Sequence, residues 1–91
     1  MAMAQLLEFH GGTEEQYHNL HLEVAPDGKL APGALFHIGG PIENGWRVVN
    51  VWETEADAQT FFREQLLGIR QKHGLQPPDS QTWWPVDNLM K

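Results

Sequence analysis

The sequence contains no cysteine, few basic residues and no long hydrophobic run. The absence of cysteine excludes disulfide bonds and thiolate metal sites. The chain has 6 Lys and Arg residues against 12 Asp and Glu residues, a net charge of −6. This balance argues against nucleic acid and against an anionic membrane surface as partners, because both are bound through basic side chains. No apolar stretch approaches the roughly 20 residues of a membrane-spanning helix.

The length of 91 residues indicates a single domain that covers residues 1–91. A domain of this size buries only roughly 60–65% of its unfolded surface, so its core is modest. Because no disulfide can assist, we expect self-association to contribute to stability. Residues 1–9 carry no positive charge and lack the layout of a signal peptide, so we expect a cytoplasmic protein.

Hydrophobic periodicity predicts six elements in the order β-α-β-β-α-β. The predicted strands cover residues 2–9, 34–38, 46–53 and 82–89, and the predicted helices cover residues 13–23 and 54–73. This order is typical of the ferredoxin-like fold, an α+β fold in which a four-stranded antiparallel sheet carries two helices on one face. Strands one and three are predicted to be central, and strands two and four to form the edges.

Local signals support the predicted helix ends. Thr13 and Gln16 have the spacing of a capping box, and Thr54 is a candidate N-cap for the second helix. Gly74 suits the left-handed position that follows a helix. Pro85 inside the last predicted strand cannot donate to a sheet ladder, so that strand is predicted to lie at an edge.

The dipeptide Asn44-Gly45 predicts a two-residue type I′ turn between strands two and three. With that turn, His37 faces Trp52 across the ladder and Gly39 faces Asn50. A β-bulge in this hairpin would change the register.

Strand alternation divides the side chains of this hairpin between two faces. One face mixes aromatic and polar groups, as a ligand-lining surface does: Leu35, His37, Gly39, Trp46, Val48, Asn50 and Trp52. The other is purely apolar and is predicted to be a core face: Phe36, Ile38, Val49 and Val51.

The predicted fold leaves one face of the sheet without helices. A bare, aromatic-rich face would promote aggregation of a small domain unless a partner covers it. We therefore expect a homodimer in which two copies pack sheet against sheet. Trp83, Trp84 and the dipeptide Asp87-Asn88 in the last predicted strand are assigned to this dimer seam. Asp87 could instead orient His37 across the interface.

Three stretches resemble a known group of proteins. They are Leu-Phe-His-Ile-Gly-Gly-Pro at 35–41, Gly-Trp-Arg-Val-Val-Asn-Val-Trp-Glu-Thr at 45–54, and Ala58 with Phe-Phe at 61–62. The chain resembles small bacterial proteins of the dimeric α+β barrel superfamily, similar to the antibiotic biosynthesis monooxygenase group. The Val-Trp-Glu tripeptide at 51–53, at a strand end before a capped helix, is the feature shared with that group.

The resemblance implies a dimeric α+β barrel but several activities. Members include cofactor-free oxygenases of aromatic polyketides, haem-degrading enzymes, isomerases and proteins of unknown role. The haem-degrading branch has an Asn in strand one, which this chain lacks, and a Trp in the second helix where this chain has Phe61 and Phe62. His73 lies only at the helix end. We therefore expect no haem and no other cofactor.

Five residues are candidates for the site. His37 is a candidate general base, because a histidine has its ordinary pKa near neutrality. The alternative is a core or interface histidine bonded to the backbone or to Asn50. The Asn50 amide could donate to a developing oxyanion, and Asn50 with Trp52 resembles the pair with which oxygenases of this group hold an aromatic substrate. Trp46, Trp52 and Tyr17 are candidate pocket walls, with ordinary packing as the alternative.

His18 and His21 lie one helical turn apart and could share a metal with Glu14 as a third ligand. The alternative is a solvent-facing His18 and a half-buried His21. The chain has no HExxH pattern, so no metal site is predicted.

Together these patterns predict a homodimer that binds a small apolar or aromatic molecule. As an enzyme it would be a cofactor-independent monooxygenase, or an isomerase or cyclase. The alternative is a non-catalytic ligand-binding or structural dimer module.

Overall fold

A computed structural model describes residues 1–90 and shows a four-stranded antiparallel sheet with a helical layer on one face. The strands are β1 (Met3–His10), β2 (Ala34–Ile42), β3 (Gly45–Trp52) and β4 (Ser80–Pro85). The helices are α1 (Glu14–Val24), α2 (Glu55–Phe61) and α3 (Leu67–His73), with a π-helical turn (Phe62–Leu66) between the last two. The strand order β2-β3-β1-β4 confirms the ferredoxin-like fold. Within residues 1–90, no helix is long and apolar enough to cross a bilayer.

The helix ends follow the predicted local chemistry. The Gln16 backbone N–H donates to Thr13 Oγ1 over 3.1 Å, and the Thr13 backbone N–H donates to Gln16 Oε1 over 3.2 Å, which completes the capping box. Thr54 accepts from the backbone N–H of Asp57. Gly74 follows α3 in the left-handed conformation, with φ of 65°.

The second helical region is not the continuous α-helix that its apolar stripe predicted. A π-helical turn separates α2 from α3, and the Leu67 N–H bonds to the Phe62 carbonyl, five residues earlier. A π turn adds a residue to one turn and rotates the residues after it. Apolar periodicity does not detect this rotation, because the stripe on either side keeps its own spacing.

The last strand is shorter than predicted and begins earlier. β4 covers Ser80–Pro85 rather than residues 82–89. Within the described part of the chain it pairs only with β1, so its position at the sheet edge is confirmed. Pro85 ends the strand instead of lying inside it, since its nitrogen has no proton for a ladder bond.

The predicted turn between β2 and β3 is displaced by one residue. Ile42 pairs with Gly45, so Glu43 and Asn44 form the turn. Only Asn44 has a positive φ, of 69°, whereas a type I′ turn needs two such residues. Gly45 belongs to the strand because it lies against β1: a Cβ there would come within 2.1 Å of the Phe9 carbonyl oxygen.

This displacement shifts the hairpin register by two residues. His37 faces Asn50 rather than Trp52, and Gly39 faces Val48 rather than Asn50. A two-residue shift keeps every side chain on its predicted face. The irregularity of the hairpin lies between Ala34 and Phe36, so Leu35 drops out of the ladder alternation.

The helices cover the mixed face of the sheet, which we call the inner face. Trp46, Val48 and Trp52 are buried there together with Ala58 of α2. The Trp52 ring contacts Phe61, with ring centroids 5.6 Å apart.

The opposite, outer face carries Phe36, Ile38, Val49 and Val51, and the prediction that these residues form the core face is wrong. Of the four only Val51 is buried, and Ile38 is 52% exposed. Trp84 also lies on the outer face, opposite Ala4 of β1, and is 42% exposed. Apolar character could not identify the helix-covered face, because both faces of this sheet are apolar enough to be buried.

Candidate functional site

A cavity of about 800 Å³ lies between the inner face and the helices. Its walls are mostly apolar, as in ligand sites, and include Leu7, Leu20, Trp46, Val48, Trp52, Phe61, Leu66 and Trp83. The cavity is open because the helices pack loosely: no residue of α1 is buried.

Polar side chains form a hydrogen-bonded row across the floor of this cavity. Tyr17 Oη lies 2.5 Å from His37 Nε2, and His37 Nδ1 lies 2.6 Å from Asn50 Oδ1. Asn50 Nδ2 donates to Gln5 Oε1 over 3.2 Å, and Trp52 Nε1 donates to the same oxygen over 3.1 Å. We call these five residues the relay.

The register of the sheet creates this row. Asn50 of β3 lies directly opposite Gln5 of β1 on one side and His37 of β2 on the other. Directly opposed side chains on one face have Cβ atoms about 5 Å apart, within hydrogen-bonding reach of amides and imidazoles. The row therefore depends on long-range strand pairing and not on any local motif.

Trp52 fixes the direction of every hydrogen bond in the relay. An indole N–H can only donate, so the Gln5 atom that meets it is the acceptor oxygen. The Asn50 amide then presents its nitrogen to Gln5 and its oxygen to His37. His37 must donate from Nδ1, which leaves Nε2 of the neutral imidazole as an acceptor for the Tyr17 hydroxyl.

Tyr17 reaches His37 from α1 through the space that a glycine leaves open. A Cβ at Gly39 would lie 2.8 to 2.9 Å from Tyr17 ring and hydroxyl atoms. Tyr17 also packs against Trp46 and His21, with ring centroids 5.0 Å and 5.8 Å away. Burial raises the pKa of Tyr17, so the hydroxyl stays protonated and acts as a donor.

All five candidate residues line the one cavity: Tyr17, His37, Trp46, Asn50 and Trp52. The hydrogen bonds of these residues define their positions more specifically than the sequence predicted. Asn50 lies behind His37, with its oxygen taken by the imidazole and one amide proton taken by Gln5. Tyr17 is more than a wall, because its hydroxyl contacts His37 directly.

Sequence reasoning missed Gln5 and misplaced Trp83. Gln5 is the polar residue of an otherwise apolar stretch of β1, on the same face as Leu7, and this isolated polarity was the available signal. Trp83 lies opposite Gln5 on the inner face and lines the cavity, so its assignment to a dimer seam is wrong. Gln5 Nε2 also donates to Gln81 Oε1 over 2.9 Å.

The remaining candidates lie away from the relay. His18 Nε2 lies 3.9 Å from Glu14 Oε1, and both side chains are exposed. Among residues 1–90, no three His, Cys, Asp or Glu side chains come close enough together to hold a metal ion. Within the chain, Asp87 is no partner for His37, because Tyr17 and Asn50 take both ring nitrogens.

Comparison with known proteins gives matches in structure only. No family model matches the chain, and none of the curated proteins matches it in sequence. A protein of Chloroflexus aurantiacus J-10-fl assigned to the antibiotic biosynthesis monooxygenases superimposes with a TM-score of 0.71 at 11% identity, over 99% of this chain and 98% of the other. A variant of SnoaB, a cofactor-independent oxygenase from Streptomyces nogalater, gives 0.65 at 11% identity, over 98% and 95%.

A variant of MhuD with two manganese protoporphyrin IX molecules bound per active site gives a TM-score of 0.64 at 15% identity, over 100% of this chain and 99% of that one. Identities this low establish the fold and not the activity. The likeness predicted from the sequence is thereby confirmed for the fold: the chain has the α+β architecture of antibiotic biosynthesis monooxygenase-like proteins.

Proposed function

We propose that this protein is a homodimeric, cofactor-independent oxygenase that binds an aromatic molecule with an acidic hydroxyl or C–H group in the cavity. The observation that carries this proposal is the acceptor nitrogen of His37, which the relay holds toward the Tyr17 hydroxyl in an apolar pocket. The architecture shared with SnoaB is consistent with it.

The first step is removal of a proton from the substrate. The substrate donates its proton to Tyr17 Oη while the Tyr17 proton passes to His37 Nε2, so the net product is a substrate anion and an imidazolium. Asn50 Oδ1 stabilises the imidazolium through the Nδ1–H bond, in the way that a carboxylate supports a catalytic histidine. Asn50 thus acts as a positioning residue, and its second amide proton stays free for a developing oxyanion.

The second step uses dioxygen as the oxidant. For a substrate with an acidic CH2 group, the carbanion and dioxygen form a C–O bond, and the proton held by His37 completes a hydroperoxide. Loss of water together with the second hydrogen of that carbon leaves a ketone. The substrate supplies all four electrons that reduce dioxygen, so the balance requires no redox cofactor.

The outer face supports the proposal of a homodimer. Phe36, Ile38, Val49 and Trp84 form an apolar surface that the helices do not cover, and Ile38 and Trp84 are 52% and 42% exposed. A second copy of the same face would cover it by two-fold symmetry. This uncovered surface supports the proposal that the partner is a second copy of this chain.

Oxygen uptake tests the enzymatic proposal. The purified protein is supplied with a tricyclic anthrone, whose CH2 group is acidic, and dioxygen consumption is followed with an electrode. We expect His37→Ala to lower kcat at least about 100-fold, the usual contribution of a general base, and Tyr17→Phe to lower it about 10-fold. His18→Ala is the matched control, because that histidine is exposed and outside the relay. Equal rates for wild type and His37→Ala would overturn the proposal.

A non-catalytic ligand carrier is the second candidate, and one observation favours it. Both ring nitrogens of His37 are already bonded within the chain, so the relay also satisfies the polar groups of the cavity floor by itself. A carrier would bind the anthrone without consuming dioxygen. In that case His37→Ala would change the stability and the affinity but no rate.

A further inference from the structure

The basic residues of the chain divide into two groups. Within residues 1–90, Arg47 and Lys72 each form an ion pair with a glutamate. The other Lys and Arg side chains in that range have no carboxylate partner within ion-pair distance, and all of them line the cavity: Lys29, Arg63 and Arg70.

This division is informative because the chain is rich in acidic residues. With 12 Asp and Glu residues against 6 Lys and Arg residues, partners are plentiful. Glu23 illustrates the contrast: it accepts from both Lys72 and His73, over 2.7 Å and 2.6 Å. Arg70, on the same helix α3, has no carboxylate partner. Two acidic residues, Glu55 and Asp79, also line the cavity, but within residues 1–90 neither forms an ion pair with the three cavity cations, so these cations stay unpaired.

Arg70 is the most enclosed of the three cavity cations. Its side chain is half-buried, and burial lowers its pKa. One of its guanidinium nitrogens donates to the Gln76 carbonyl. A guanidinium carries five donors in a planar fork that matches a carboxylate, so most of its binding capacity is unused. Removing such a charge from water is unfavourable unless an anion approaches it.

Trp46 is a second polar group beside the cavity whose hydrogen bonding is incomplete. The indole is 7% exposed and lines the same cavity, and its N–H has no acceptor within residues 1–90. A buried donor without an acceptor lowers stability. Because the nitrogen itself is closed off from the cavity space, it offers no ligand contact, and the choice of ligand rests on Arg70.

We propose that the cavity selects an aromatic carboxylic acid, and that Arg70 binds its carboxylate. This inference rests on the proposed ligand cavity and specifies the class of ligand. The C-terminal end of α1 is bonded to α3 through Glu23 and Lys72, and Arg70 of α3 lies near that end. Tyr17 lies two helical turns earlier on α1, roughly 10 Å along the axis of that helix. The ligand is therefore extended, with its carboxylate at Arg70 and its reactive hydroxyl or C–H group toward Tyr17. Lys29 and Arg63, which are exposed, add to the attraction at the rim.

Titration calorimetry with a matched pair of ligands tests the inference. The probes are anthracene-2-carboxylic acid and its amide, which have nearly the same shape but differ in charge at pH 7. We expect the wild-type protein to bind the acid at least 10-fold more tightly than the amide. Arg70→Met should remove this preference by weakening the acid alone, and Arg70→Lys should keep part of it. Lys72→Met is the control, because it removes the same charge from the same helix at a side chain outside the cavity lining.

The outcomes separate this inference from the proposed function. Equal binding of acid and amide would overturn the inference and leave the cavity proposal standing. Equal weakening of the acid by Arg70→Met and Lys72→Met would also overturn it, since the preference would then come from net charge. If neither probe binds to the wild-type protein, the ligand cavity itself fails and the inference fails with it. Thermal melting of each variant verifies that it is folded, and Arg70→Lys provides the test if Arg70→Met is not.

Discussion

The two faces of the sheet differ in what they bury and in how their polar groups are satisfied. The inner face combines tryptophans with a row of amide and imidazole groups, and every member of that row has a partner. The outer face has a wholly apolar centre, with Arg47 bonded to Glu8 beside it. The more apolar face is thus the one that the helices leave uncovered. In a small domain, strong apolarity can indicate an interface rather than the core of the chain.

The inner face tolerates the polar groups of the relay because each of them is paired, and the buried indole N–H of Trp46 is the exception on this face. A buried polar group that keeps a hydrogen bond costs little, whereas an unpaired one costs about 1–3 kcal/mol. This pairing is why a cavity with a polar floor can lie inside the fold, whereas the centre of the outer face holds few polar groups.

The largest effect is expected at the outer face. If the proposed homodimer uses this face, Ile38→Asp should convert it into a monomer, raising the dissociation constant at least about 1,000-fold, because the interface would bury two unpaired carboxylates. Light scattering measures the solution mass. Leu22→Asp is the control, since Leu22 is 66% exposed on α1, away from the sheet. A dimer that persists in Ile38→Asp would show that the outer face is not the interface.

A methyl group added at Gly39 on the inner face should have a smaller and more local effect than the change at Ile38. Gly39→Ala places a Cβ against the Tyr17 ring, so we expect a loss of about 1–3 kcal/mol of stability from overpacking and at least a 10-fold fall in oxygen uptake. Gly68→Ala is the matched control: its Cβ meets nothing within 4 Å, and it should stabilise α3 by up to about 1 kcal/mol. If Gly39→Ala and Gly68→Ala changed stability and oxygen uptake by the same amounts, the position of Tyr17 would not depend on the gap at Gly39.

Removing a single donor should sharpen the description of the relay. Trp52→Phe keeps an aromatic ring against Phe61 but deletes the N–H that fixes Gln5. We expect a loss of about 1 kcal/mol and a mixture of His37 tautomers, observed by nitrogen NMR of the imidazole. Trp83→Phe alters the same face without removing a relay bond and should leave the tautomer on Nδ1. A single unchanged tautomer in Trp52→Phe would refute the directing role of Trp52.

The smallest effect is expected at the contact between α1 and α3, where Glu23 accepts hydrogen bonds from Lys72 and His73. Hydrogen bonds from Lys72 and His73 lower the pKa of Glu23 below its ordinary value of 4.5. A carboxyl group with a lowered pKa in the folded state stabilises the protein above its unfolded pKa, and this contribution disappears as the pH falls through the folded pKa. Glu23→Gln should therefore reduce the stability at pH 7 and flatten its decline below pH 4.5, as measured by denaturant unfolding. Glu43→Gln, in the β2–β3 turn, is the control and should leave the acid limb unchanged.

Much of the fold was predictable because it depends on short-range chemistry. The capping box of Thr13 and Gln16 and the left-handed Gly74 involve atoms only a few residues apart. The face occupied by His37 and Asn50 was also predictable, since alternation along a strand is unaffected by a two-residue shift in register. The register itself was not, because it depends on how closely Gly45 approaches Phe9 of another strand.

The sequence by itself determined the order of the elements, the helix ends and the division of residues between the two faces, because each follows from the local geometry of the backbone. Only the tertiary structure decided which face the helices cover, that Gln5 and Trp83 join the cavity, and that Nε2 of His37 is left as the acceptor. Those features arise from contacts between strands far apart in the chain, where a single indole N–H sets the direction of a whole row of hydrogen bonds.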